Sequence, residues 1–112
     1  MAALATLDSD GWALDCGEEA HAQAPKKFEI PPRTEREQLL PGQLVKLMFR
    51  IALRDADGHE STQVERMWVE VTGRIGNLYR GELDNDPSCT GEIQAGLEVY
   101  FEARHVIQIW RE

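Results

Sequence analysis

Cysteine and histidine are scarce in this chain, two and three among 112 residues. Cys16 and Cys89 are too few and too far apart for a disulfide framework or a CxxC zinc site, so both read as reduced thiols. No stretch approaches the roughly 18 consecutive apolar residues of a membrane span. The N-terminus has neither a basic lead nor a sustained hydrophobic run, since Asp8 and Asp10 interrupt it; the sequence reads as cytoplasmic. Basic residues are also few, 12 against 20 acidic ones for a formal charge of -8. Arg33, Arg36, Lys46, Arg50, Arg54, Arg66, Arg74, Arg80 and Arg104 stand singly, which argues against nucleic acid and anionic lipid as partners. At this length the chain forms one domain with one modest core, and it offers a single site or surface.

What is present is period-two alternation. In residues 44–54, Val45, Leu47, Phe49, Ile51 and Leu53 share one face, and Lys46, Met48, Arg50, Ala52 and Arg54 the other. Asp55 to Ser61 is a polar, Gly-containing hairpin tip, after which a strand over 63–73 turns Met67, Val69 and Val71 inward and Trp68 outward. Gly73 to Asn77 is a second turn, leading to a strand over 78–84 with Tyr79, Gly81 and Leu83 on one side. Gly81 there admits a close neighbour. A last hairpin is expected from strands at 97–102 and 105–110, with Leu97, Val99, Phe101, Ile107 and Ile109 joining the core. The one helix expected covers 33–39, between Pro31-Pro32 and Pro41-Gly42. Residues 1–26, acidic and without periodicity, read as a flexible or loosely docked extension, and 27–112 as the single β domain. So many short strands with so little helix are best buried by curling the sheet, which predicts a mainly β, small antiparallel SH3-like barrel or roll of five to six strands. A flat sheet covered by the short helix is the second choice.

Gly42 to Leu47, Glu65-Arg66-Met67-Trp68-Val69, the run Gly81-Glu82-Leu83-Asp84-Asn85-Asp86-Pro87, Gly96 to Val99 and His105-Val106-Ile107 together resemble the small bacterial YegJ-like family of unknown function, from about residue 40 to the end. That resemblance implies the fold and a bacterial origin, and it carries no catalytic residues to transfer. Similar short domains occur beside immunity proteins of bacterial toxin systems, and Asp10-Gly11-Trp12 resembles a patch in one such immunity class.

The residues assemble no evident catalytic group. Cys89 and His105 could pair as thiolate and base, but a turn cysteine and a histidine capping the last strand is the plainer reading. Asp55, Asp57 and Glu60, or Asp84 and Asp86, fall short of the ligand set of a calcium loop and read as turn chemistry, so no metal or other cofactor is expected. More unusual is the outer face of the sheet, where Met48, Trp68, Tyr100 and Trp110 lie opposite the core. Such a row marks a protein partner site, a self-association contact, or ground covered by the chain's own residues 1–40. The function expected is a non-enzymatic protein-interaction domain using Met48, Trp68, Tyr100 and Trp110 with Arg50, Arg66 and Glu70 as polar rim. The alternatives are an immunity protein whose negative charge complements a basic toxin, and a small thiol-dependent enzyme.

Overall fold

The computed structural model describes residues 2–111. It is mainly β, 38% strand and 16% helix, with antiparallel strands in a curled half-barrel sheet. The strands are β1 (Trp12–Leu14), β2 (Leu44–Arg54), β3 (Glu60–Ile75), β4 (Leu78–Leu83), β5 (Glu98–Phe101) and β6 (Gln108–Ile109). Short helices α1 (Leu7–Asp10), α2 (Gly17–Gln23) and α3 (Arg33–Arg36) precede β2, and a 3-10 turn, Ala103–His105, precedes β6.

Strands β1 to β5 lie in the order β1-β2-β3-β4-β5. The curl follows from β6, which returns to β2 with Ile109 opposite Val45 and Gln108 opposite Lys46. The edge of β2 not used by β3 therefore carries two short partners, β6 at one end and β1, opposite Phe49 to Ile51, at the other. This corrects the expected last hairpin. Glu102 to His105 form a capped 3-10 turn in which the Glu102 side chain and the His105 ring each bond the other's end of the backbone. The turn sends β6 across the sheet instead of back along β5, and His105 is buried within it rather than capping the strand.

The core is built from the alternating residues. Val45, Leu47, Phe49, Ile51, Met67, Val69, Val71, Tyr79, Leu83, Val99, Phe101, Ile107 and Ile109 are buried, while Leu97 packs against them half-buried. Tyr79 stacks on Phe101 with ring centroids 5.2 Å apart, and Trp12 lies 5.4 Å from Phe49. Gly81 is required where it stands. A β-carbon there would come within 2.5 Å of the Val69 side chain and 2.6 Å of the Glu70 carbonyl oxygen.

Residues before 27 differ from the expected extension. Gly11, at φ 78°, ends α1, and Trp12 enters β1 and is 6% exposed, so Asp10-Gly11-Trp12 is a helix stop followed by a core anchor. Trp12 joins the core with Ala5 and Leu14 packed against it, and β1 pairs with β2 from Phe49 to Ile51. Arg36 fixes the far end. It is 5% exposed and donates to Glu18 Oε2 at 2.7 Å, to the Pro31 carbonyl at 2.8 Å and to the Ala103 carbonyl at 2.9 Å. Its bond holds the Glu18 carboxyl below its ordinary pKa. The helices α2 and α3 and the 3-10 turn thus meet on one buried cation, which is acceptable in an interior because its donors are matched.

Candidate functional site

The outward face of the sheet can be read row by row from the strand register. Gln108, Lys46 and Trp68 stand opposite one another in β6, β2 and β3. The next row runs Leu44, Glu70, Glu82 and Glu98 through β2, β3, β4 and β5. Trp110 joins at its β2 end, donating its backbone N–H to the Leu44 carbonyl. Beyond it, Arg80 faces Tyr100.

Within this face Trp68 and Trp110 form an edge-to-face pair, centroids 5.7 Å apart at 86°. The Lys46 ammonium sits 4.7 Å from the Trp68 ring centre, a cation on an aromatic face. Trp110 remains 56% exposed. Trp68 is half-buried and held at its backbone, where its N–H donates to Asn85 Oδ1 at 2.6 Å and its carbonyl accepts from Asp84 N–H at 2.9 Å.

The expected row of four apolar residues is not continuous. Met48 is 7% exposed, because Leu14 to Cys16 and α2 lie over that end of β2 and Asp15 N–H bonds the Met48 carbonyl. Arg50 is engaged by the same segment, in a two-pronged ion pair with Asp15 at 2.9 and 2.7 Å that keeps the guanidinium pKa above its ordinary value. Arg66 is exposed with its guanidinium 5.2 Å from the Phe28 ring centre, so the chain around Phe28 crosses the face there. Tyr100 is half-buried and two strands away from Trp68, with its hydroxyl raised in pKa chiefly by its bond to Glu98. What stays open is Trp110 and Trp68 beside Lys46 and Leu44, and the glutamate row starting at Glu70.

That row was missed at the sequence level. Glu70, Glu82 and Glu98 are all exposed, and they lie in direct cross-strand register. Among the described residues none of the three has a cation within ion-pairing distance. Alternation marks each as outward, but only the register, offset by a bulge between Val71 and Gly73, brings them side by side.

The other candidates resolve into turn and cap chemistry. Glu65 accepts from Ser88 N–H at 3.0 Å, Ser88 Oγ at 3.1 Å and Cys89 N–H at 2.9 Å. The Cys89 thiol and these donors lower the Glu65 pKa to about 2, while burial and the adjacent carboxylate push the thiol up to about 11. A thiol so placed is a poor nucleophile near neutral pH. His105 does not face it as a base: its Nδ1 accepts from Glu102 N–H at 2.9 Å, and burial lowers its pKa to about 4. Asp86 accepts from Ala95 N–H at 2.8 Å. Asp55 accepts from Asp57 and His59 N–H, each at 2.9 Å. Asp55, Asp57 and His59 offer ligand atoms within 4.8 Å of one another, yet all are exposed, and the Asp55 carboxylate already caps the hairpin tip. The groove beside Cys89, about 790 Å³, opens between the β2-β3 arm, α1 and residues 89–92 and is lined by apolar and polar side chains alike, among them Leu7, Leu53, Arg54, Glu60 and Thr90.

The most specific pieces of the sequence thus explain one another. Glu65 and Trp68 of one motif are bonded by Ser88, Cys89 and Asn85 in or just after the other, and Gly81 lets the two strands close. No helix is long and apolar enough to cross a membrane among the described residues. Compared with family models, curated proteins and solved structures, the chain matches none.

Proposed function

We propose that this chain is a non-enzymatic protein-interaction domain that binds its partner through the outer sheet face centred on Trp68 and Trp110. One observation supports this above the others: Trp110, a large aromatic residue, is 56% exposed while its ring packs edge-on against a second tryptophan. Hot spots favour this residue type because a rigid ring desolvates much area at little entropy cost. Lys46 and Gln108 join Glu70 in the polar rim in place of Arg50, which Asp15 engages, and Met48 drops out of the apolar row because the N-terminal segment covers it.

Neutralisation of a basic toxin is a special case of the same reading, favoured by the acidic face, and a thiol enzyme is disfavoured by the raised Cys89 pKa. The test is capture of partners on wild-type protein and on Trp110→Ala, with the Thr62→Ala variant on the distant β2-β3 arm as control. Loss of the same partner in Trp110→Ala alone is expected. Equal recovery by all three proteins would reject the face.

A further inference from the structure

Like charges placed directly opposite in adjacent strands oppose sheet formation. Here three carboxylates do so in succession, Glu70 opposite Glu82 and Glu82 opposite Glu98, about 5 Å apart from strand to strand by sheet geometry. Among the described residues neither of the nearest basic neighbours in register forms an ion pair with the row. Lys46 lies over Trp68, and the Arg80 guanidinium lies against Gly73 and Tyr100. At the β2 end of the same row stands the exposed Trp110 ring. The face therefore offers a line of negative charge, its Glu98 end shared with the Tyr100 hydroxyl, that finishes on an aromatic surface at the other end, and Lys46 on Trp68 shows within the molecule how a cation and an indole pack together here.

We propose that the partner presents a basic, arginine-bearing polypeptide segment, laid along Glu70, Glu82 and Glu98 with one guanidinium stacked on Trp110; this rests on the reading of the face as the binding surface. Guanidinium suits both ends, since its planar fork pairs with carboxylates and its flat face stacks on aromatic rings. A partner of this chemistry also supplies what the sheet lacks, because opposite charges between the strands turn mutual repulsion into shared attraction. Local self-repulsion retained on an exposed face is the kind of rule violation that accompanies function.

The experiment is calorimetric titration of the full chain with a synthetic peptide alternating arginine and serine, and with its glutamate-serine counterpart, at low and at physiological salt. Two variants are compared at equal net charge: E70Q/E82Q/E98Q on the face and D8N/E19Q/E92Q elsewhere, both moving the formal charge from -8 to -5. Binding of the arginine peptide alone, weakened about tenfold or more in the face variant and little changed in the distant one, is expected. Equal weakening in both variants would reduce the effect to overall charge and overturn the proposal, as would full affinity in the face variant. Trp110→Ala separates the two levels. If it matches wild type the tryptophan reading fails, whereas if it loses affinity while the glutamate variant does not, the basic-segment proposal fails and the face remains.

Discussion

Replacing Glu65 by Gln should weaken the fold by an amount that depends on pH in a defined way. The carboxylate gathers donors from Ser88 and Cys89, which hold its pKa at about 2 against an ordinary 4.5. A gap of that size corresponds to about 3 kcal/mol at the linkage limit. Solvent at a half-buried side chain screens it, so about 1–2 kcal/mol is the expected loss at pH 7. The folded-state pKa lies below the unfolded one, so this stability is complete above about pH 4.5 and disappears as pH falls towards about 2. Urea denaturation followed by tryptophan fluorescence between pH 7 and pH 3 should show wild type and variant converging on the acid side. A second readout is the thiol: with the neighbouring carboxylate gone, the Cys89 pKa should drop from about 11, and alkylation at pH 8 should quicken in a Cys16→Ser background. Parallel pH profiles with a constant gap, or unchanged alkylation, would refute the assignment of Glu65 as the charged cap of this turn.

His105 gives the acid profile a separate component. Its pKa is lowered to about 4, so wild type should lose up to about 3 kcal/mol as pH falls from about 6.5 to 4, and His105→Gln should flatten that part of the curve. Phe49→Ala, at a fully buried ring beneath Trp12, should cost about 3–5 kcal/mol in chemical denaturation. Gly81→Ala should cost about 3 kcal/mol through overlap with Val69 and the Glu70 carbonyl, read as a lower denaturation midpoint. Glu82→Gln, at the centre of the glutamate row, should instead stabilise the isolated domain by a few tenths of a kcal/mol at low salt, with the gain shrinking at high salt.

Strand alternation carried most of the fold into view. Val45 to Ile51 and Met67 to Val71 could face only one way once the opposite parity held Lys46, Arg50 and Glu70, and Gly81 announced a close approach that the Val69 side chain makes. The destination of β6 was not legible, because a buried histidine closing a 3-10 turn leaves no periodic trace and reads like a strand start. Nor was the docking of Trp12, since a three-residue edge strand is too short for alternation to register. Nothing in the sequence sets Arg36 apart from the other singly placed basic residues, and only the meeting of Glu18, Pro31 and Ala103 around it makes it a buried tie. For the site, Trp68 and Trp110 could be placed outward from parity alone. Which neighbours they keep, and that Met48 and Arg50 are taken by the N-terminal segment, depends on contacts distant in sequence.

The most direct test of the outer face as the binding surface is site-specific photo-crosslinking in the organism that makes the chain. A crosslinking amino acid is placed in turn at Trp110, at Glu82 and, at the far end of β3 from Trp68, at Thr62, and the products are identified by mass spectrometry. Crosslinks from positions 110 and 82 to the same basic segment of one protein, with none from position 62, are the expected result. Crosslinks to that protein from position 62 alone would place the interface on the hairpin arm and contradict the assignment of Trp68 and Trp110.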